Sequence, residues 1–359
     1  MKLIPEISLI RTIACLSILL IHTSAPFMVS EYHWVNAIPN QLARFGGPIF
    51  VMIGAFLLSN KYLRKPLEIG KFYRSRVLKI FIPYAVFTVA YTFFYDYLYQ
   101  MMVPLDQYPA RIFHHLLYGT AAGHLYFISA IFQFYLIFPL FFWVMKKVEK
   151  HPWIFSIGLT GVLFMLFASY YYHWIEAPWL NFVAYRYHAN ALFWMPYFVF
   201  GFYAAYYWES IKHWVKAHPW LVNLLGFAAF AAMWGEHLLS NLEPLGSARP
   251  LMYFYTFPIF IFFIFWVQLI QRYLPLLADG MHAFSRTSFG IYLIHFFSID
   301  FYNHFLAPIF VTNYMAFNFA NFFVMVTLIS YVSVFVLQRV PGGRWIVGTP
   351  PIKMKRQAV

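Results

Sequence analysis

Charged residues are scarce in this sequence of 359 residues: Asp, Glu, Lys and Arg together make up 10%, and only 12 side chains are acidic. A water-soluble protein is about one-quarter charged, because charged side chains keep its exterior hydrated. Apolar residues instead reach 62%, and the mean hydropathy is +0.63. This composition excludes an ordinary soluble domain and indicates a protein whose surface lies mostly in lipid.

Several familiar signatures are also missing. The one cysteine, Cys15, lies in the first apolar run and has no second cysteine with which to form an intramolecular disulfide. The sequence contains no Walker-type phosphate loop, no GxSxG elbow and no clear dinucleotide fingerprint. ATP-driven export and soluble-type serine hydrolysis therefore have no visible machinery.

The apolar residues are concentrated in runs of about twenty, the length needed to cross a bilayer as a helix. We predict an all-α, polytopic transmembrane bundle of about ten spans. It forms a single domain over 1–340, with a basic cytoplasmic tail over 341–359. The second and sixth runs are short and the ninth is interrupted by polar groups, so nine or eleven spans are open alternatives. The ten runs are 7–28, 45–60, 77–100, 124–145, 152–172, 191–208, 220–239, 251–271, 288–307 and 314–338.

The formal charge of +13 comes from basic residues in alternate connections between these runs. With the N-terminus inside, 19 of the 25 basic residues are cytoplasmic. This asymmetry predicts both termini in the cytoplasm and an even number of spans. A nucleic-acid partner is not expected, because the basic residues do not form one solvated groove or face. Two of the others, Arg11 and Lys79, fall within spans, and the four on the outside are Arg44, Arg111, Arg186 and Arg249.

Arg11 and His22 are ionisable side chains within the first span, where each costs about 2.5–3.5 kcal/mol on insertion scales. Eleven residues separate them, so His22 falls on nearly the same face of the helix as Arg11, about 16 Å further along the helix axis. A neutral imidazole in a sheltered pocket is a suitable general base. The alternative is structural: Arg11 extends to the inner interface and His22 hydrogen-bonds a neighbouring helix.

This Arg-then-His spacing resembles the first helix of the membrane acyltransferase-3 family, the integral-membrane O-acyltransferases that modify bacterial surface glycans. Four further stretches match the family in order and extend the resemblance over nearly the whole chain. They are Gly46–Leu58 (GGPIFVMIGAFLL), Phe72–Tyr84 (FYRSRVLKIFIPY), Gly123–Phe127 (GHLYF) and Ser288–His295 (SFGIYLIH).

The resemblance implies acyl transfer from a cytoplasmic acyl-CoA, usually acetyl-CoA, to a hydroxyl of a glycan or lipid-linked sugar. His22 would be the catalytic histidine and Arg11 the motif arginine. The third helix of the family usually begins with two arginines three residues apart. Arg76 fits the first position here, whereas Lys79 occupies the second and lacks the bidentate fork of arginine. The resemblance thus makes Arg11, Arg76 and Lys79 candidates for binding CoA, and Arg74 is a further candidate.

Other residues of the matching stretches are candidates for lining the same cavity: His124, Tyr126, Tyr292 and His295. For the two histidines, helix packing is an equally good interpretation. Asp300, Glu236 or Tyr292 could orient His22, and the sequence does not choose among them. No metal site is predicted, because adjacent His114 and His115 do not converge on a helix.

The expected partners are an acyl-CoA donor, a glycan or lipid-linked sugar acceptor and membrane lipids, with the protein a multi-pass component of the bacterial cytoplasmic membrane. The acceptor glycan, the choice between acetyl and succinyl, and the oligomeric state are left open. A transporter or flippase for a lipid-linked sugar is the alternative function. A sensor or scaffold without chemistry is a third possibility.

Overall fold

The structure, a computed structural model, describes residues 4–29, 33–148, 152–240, 245–312 and 315–348. Within these ranges the chain is helical and contains no strand, as the sequence predicts. The α-helices are α1 (Pro5–Ser24), α2 (His33–Leu42), α3 (Gly46–Tyr62), α4 (Ile69–Arg76), α5 (Ile82–Leu98), α6 (Tyr108–Tyr118), α7 (Tyr126–Lys147), α8 (Pro152–Tyr171), α9 (Pro178–Ala184), α10 (Ala191–Tyr206), α11 (Trp208–Ala217), α12 (Pro219–Leu239), α13 (Met252–Tyr273), α14 (Pro275–Ser285), α15 (Ser288–Phe301), α16 (Ala307–Phe310), α17 (Met315–Leu337) and α18 (Gly343–Ile346).

Short helical segments of other types extend several of these helices. A π-helix over Val77–Phe81 joins α4 to α5, and a second over Tyr302–Leu306 joins α15 to α16. Ala25–Val29 continues α1 as a 3-10 helix, and Leu105–Gln107 and Tyr187–Ala189 are further 3-10 turns. Proline occupies the first turn of α1, α6, α9, α12 and α14, where its fixed φ favours helix initiation and no hydrogen bond is lost.

Eight helical stretches in the described ranges are long and apolar enough to cross a membrane. They fall at eight of the ten predicted runs. At the sixth run, α10 is apolar but has 16 residues, about 24 Å of helix against a hydrocarbon core of about 30 Å. At the ninth run, α15 to α16 form a helical stretch that is not among the eight. The total of ten spans stays a prediction. The eight are Pro5–Met28, Ala37–Tyr62, Ile69–Leu98, Tyr126–Lys147, Ile154–Tyr171, Pro219–Leu239, Met252–Tyr273 and Met315–Leu337.

The helices divide into central and peripheral ones. In α1, 72% of the apolar window is buried inside the protein, whereas in α17 only 22% is, so α1 is an interior helix and α17 presents most of its surface to the surroundings. α1 packs against α3, α13, α14, α15 and α17, and α10 lies along α3. A Cβ at Gly201 of α10 would collide with the Met52 carbonyl of α3, so this close contact requires glycine.

The predicted C-terminal tail, 341–359, begins with residues that pack against the bundle. Val347 is fully buried, and Gly348 has φ +68° and lies against the backbone of Lys79. A side chain at Gly348 would collide with the Lys79 carbonyl. The rest of the predicted tail, 349–359, lies outside the described residues.

Candidate functional site

The central helix α1 contributes to two cavities, one near each end. Arg11, in its first half, lines a cavity of about 500 Å³, which we call the basic pocket. His22, in its last turn, lines a cavity of about 270 Å³, which we call the histidine pocket. The two motif residues therefore share a helix but face different cavities.

The basic pocket contains four cations: Arg11 from α1, Lys61 from α3, Arg76 from α4 and Lys79 from the π-helix. None of them forms an ion pair with a carboxylate among the described residues. Apolar side chains of α3 and α7, including Leu57 and Ile131, form much of the remaining wall. The pocket therefore combines uncompensated positive charge with an apolar surface.

Arg76 is held in this pocket mainly by packing. Its guanidinium lies 5.7 Å from the ring centre of Phe72 and 5.4 Å from that of Tyr135, while Nη2 donates a 3.3 Å hydrogen bond to Ser75 Oγ. Its Nε is buried without a hydrogen-bond partner. Arg74 is exposed and does not line the pocket, so a role for Arg74 in binding CoA stays a prediction.

The histidine pocket is lined by His22, His124, Tyr126 and Tyr292 together with Arg44. Tyr187 and His188, from the connection between α9 and α10, close one side. Burial, with a contribution from nearby Arg186, lowers the pKa of His188 below its usual value. His188 is therefore neutral at pH 7 and adds no charge to the pocket.

His295 does not line either cavity, but it completes a cluster of three histidine rings. Its ring centre lies 5.2 Å from that of His22 and 4.6 Å from that of His124, and Phe296 contacts all three rings. His295 Nδ1 is 2.7 Å from the Tyr292 carbonyl oxygen. A carbonyl oxygen only accepts, so Nδ1 carries a proton, and in the neutral imidazole Nε2 then keeps its lone pair. That Nε2 is buried without a hydrogen-bond partner.

The three candidates for orienting His22 bond elsewhere in the described structure. Asp300 Oδ2 accepts a 3.0 Å hydrogen bond from Tyr95, and Glu236 Oε2 accepts a 2.8 Å bond from Arg249. The Tyr292 hydroxyl donates to the His124 carbonyl oxygen. Among the described residues, the ionisable side chain whose ring lies against that of His22 is instead His295.

Two side chains, Phe127 and Tyr292, line both cavities. Phe127 belongs to the first turn of α7 and Tyr292 to α15, and the two rings lie 5.8 Å apart. The basic pocket and the histidine pocket are therefore neighbours separated by these aromatic rings. Within the described ranges, no group of three His, Cys, Asp or Glu side chains is arranged to hold a metal ion.

Sequence reasoning missed Arg44, Lys61 and Phe127 as pocket residues. Arg44 was assigned only to a connection on the outer side, Lys61 falls in the basic connection after the second run, and Phe127 was part of a matching stretch but was not singled out. The available signal for Arg44 was its positive charge, since few basic residues fall on the predicted outer side. The available signal for Phe127 was its place in the matching stretch Gly123–Phe127, which also contains the candidates His124 and Tyr126.

Comparison with known proteins agrees with this architecture. The acyltransferase-domain family of type 3 matches the chain over residues 4–339. A relative in Bacillus subtilis (strain 168), named "Putative membrane-bound acyltransferase YfiQ", is 27% identical over 311 residues, which cover 81% of this chain and 80% of the relative. No solved structure matches the chain. The match along nearly the whole length shows that this chain, a multi-pass membrane protein, belongs to the acyltransferase-3 family.

Proposed function

We propose that this protein transfers an acyl group, with acetyl as the first candidate, from a cytoplasmic acyl-CoA to a hydroxyl of a cell-surface or lipid-linked carbohydrate. The observation that carries the proposal is the pair of neighbouring pockets that share Phe127 and Tyr292. A donor in one pocket and an acceptor in the other would meet at this boundary. Membership of an acyltransferase family supports the transfer of an acyl group.

The basic pocket is the proposed donor site. CoA carries phosphates, for which guanidinium and ammonium groups are suitable partners, and a long arm that fits an apolar wall. Arg11, Arg76 and Lys79 supply positive charge there, and no described carboxylate pairs with them. Lys79 acts as a compact point charge, whereas the two arginines can bind phosphate oxygens in a bidentate manner.

His22 is the proposed general base. Its ring lines the histidine pocket and makes no hydrogen bond to the described residues, so its nitrogen is available to an acceptor hydroxyl. As the hydroxyl oxygen attacks the thioester carbonyl, His22 takes the hydroxyl proton. The carbon–sulfur bond then breaks, and the departing sulfur receives the proton from His22 to give the CoA thiol.

The attack places negative charge on the former carbonyl oxygen, and a hydrogen-bond donor at that position stabilises it. Tyr126 lines the histidine pocket, and its hydroxyl makes no hydrogen bond in the part of the chain that the structure describes. Tyr126 is therefore the proposed donor. Tyr292 is less suitable, because its hydroxyl already donates to the His124 carbonyl.

The proposal is tested with purified protein in lipid nanodiscs, radiolabelled acetyl-CoA and a panel of glycans. We expect His22→Ala to lower transfer by about 10²- to 10⁴-fold, the usual contribution of general acid–base catalysis. His114→Ala is the matched control, because His114 is exposed on α6 and lines neither pocket. Full transfer by the His22→Ala variant would overturn the role of His22.

The same assay distinguishes an enzyme from a transporter. A flippase would move a labelled lipid-linked sugar across the membrane of a vesicle but transfer no acetyl group to any glycan.

Mass spectrometry of surface glycans from cells with and without the gene would identify the acceptor and the acyl group together. The proposed location, the bacterial cytoplasmic membrane, places acyl-CoA on one side and surface glycans on the other.

A further inference from the structure

Arg44 is a cation in the histidine pocket that has no negatively charged partner among the residues that the structure describes. It lies in the turn between α2 and α3 and lines the same cavity as His22. Nη2 donates a 2.5 Å hydrogen bond to Asn40 Oδ1, and Nε is buried without a hydrogen-bond partner. No carboxylate among the described residues forms an ion pair with Arg44.

Two of the three other arginines predicted on the same side have a carboxylate partner, and the third, Arg186, does not line the histidine pocket. Arg111 pairs with Asp96 at 2.5 Å, and Arg249 pairs with Glu236 at 2.8 Å. Arg186 donates to the Tyr118 carbonyl on the surface. A half-buried guanidinium loses part of its hydration, which costs free energy. An opposite charge nearby normally offsets this cost. Among the described residues, Arg44 lacks this compensation.

The position of Arg44 is fixed relative to His22 by Asn40. Asn40 is fully buried, and its Nδ2 donates to the Ile21 carbonyl at 2.8 Å and to Ser24 Oγ at 2.9 Å. Ile21 and Ser24 belong to the turn of α1 that carries His22. Asn40 therefore ties the guanidinium of Arg44 to the backbone that positions the proposed base.

Two further features make the histidine pocket positive. Gly47 lines the pocket from the first turn of α3, so the positive end of this helix dipole lies beside it. The lining residues include no Asp and no Glu. Arg44 and the helix terminus are thus the sources of charge, and both favour an anion.

We propose that the acceptor bound in the histidine pocket is an anionic carbohydrate, whose carboxylate or phosphate group pairs with Arg44 while its hydroxyl lies at His22. This inference rests on the proposed function and specifies its acceptor class. The planar guanidinium can bind either kind of oxyanion through paired N–H groups, and it would gain the electrostatic partner that the described residues do not supply. A neutral sugar would leave Arg44 unpaired.

Direct binding tests this proposal without any acyl transfer. The wild-type protein, in nanodiscs of zwitterionic lipid and without acyl-CoA, is titrated with three fluorescently labelled probes: trigalacturonate, its uncharged methyl ester and an oligomer of glycerol phosphate. We expect at least one anionic probe to bind about tenfold or more tightly than the ester, since each tenfold corresponds to about 1.4 kcal/mol. The two anionic probes distinguish a carboxylate acceptor from a phosphate acceptor.

Variants assign the preference to Arg44. Arg44→Gln should remove the preference for anions, and Arg44→Lys should keep part of it, because lysine retains the charge but not the fork. Arg186→Gln is the control, since it removes a positive charge outside the pocket. The proposal is overturned if the wild-type protein binds ester and anionic probes equally, or if Arg44→Gln keeps the preference.

Failure of this inference and failure of the proposed function are distinguishable. Anion binding that depends on Arg44, together with absent acyl transfer, would support the site and reject the enzyme activity. Transfer to neutral glycans with no preference for anionic ones would support the enzyme and reject the site. Because the wild-type comparison of acid and ester needs no substitution, the test does not depend on whether Arg44→Gln folds.

Discussion

At the scale of single residues, the contact between His22 and His295 matters most for the proposed chemistry. The Tyr292 carbonyl fixes the proton of His295 on Nδ1, and the buried Nε2 is left as an acceptor beside the ring of His22. A neighbouring acceptor can favour one tautomer and one orientation of a catalytic imidazole. We therefore regard His295 as a positioning residue.

Substitution of His295 tests this role. His295→Asn keeps a donor close to the Nδ1 position but removes Nε2, whereas His295→Gln keeps an acceptor close to the Nε2 position. We expect His295→Asn to lower kcat by about 10- to 100-fold, the usual effect of losing such a supporting group, with little change in KM. The pH profile of kcat should also change, and His295→Gln should be less impaired. Equal losses in both variants with an unchanged pH profile would indicate a purely structural histidine.

At the scale of helices, the close contact between α10 and α3 depends on a single glycine. Gly201 lies directly against the Met52 carbonyl and the Ala55 side chain. We expect Gly201→Val to destabilise the protein by about 1–3 kcal/mol, because a backbone carbonyl cannot move aside easily. Thermal unfolding in detergent measures the effect. Gly158→Val in α8 is the control, since an added Cβ there meets no atom within 4 Å. Equal unfolding temperatures for the two variants would contradict the prediction.

The sequence predicts which segments are helical more accurately than it predicts where each helix begins and ends. The second run was predicted as 45–60, but the helical stretch covers Ala37–Tyr62, because the turn before Gly46 interrupts the helix only briefly. The third was predicted as 77–100, whereas the stretch begins at Ile69. Its first residues include Lys71 and Arg74, both exposed, which lower the hydropathy without preventing a helix. Apolar runs therefore show where lipid is contacted and not where a helix begins.

At the scale of the whole molecule, the sequence identified part of the site. The spacing of Arg11 and His22 on one helix is local and could be calculated. The approach of His295 to His22 depends on how α1 and α15 cross, and the position of Phe127 between the pockets depends on α7. The spacing of apolar residues along the sequence does not show how two helices cross. Likewise, that no described carboxylate pairs with Arg44 is visible only in the three-dimensional structure.

The orientation of the molecule determines which pocket acyl-CoA can enter. Basic residues are concentrated in the connections predicted to be cytoplasmic, so the basic pocket should open to the cytoplasm and the histidine pocket to the outside. Cysteine labelling tests this arrangement with little background, because the native Cys15 is buried.

Arg64 and Asp106 are both exposed, and they lie in connections on opposite predicted sides. With a membrane-impermeant maleimide, we expect Asp106→Cys to be labelled in intact cells and Arg64→Cys only after the membrane is opened. The reverse pattern would place the basic pocket outside, away from cytoplasmic CoA. Since that result would remove the donor from the site proposed for it, the labelling experiment tests the proposed direction of acyl transfer as well as the orientation of the chain.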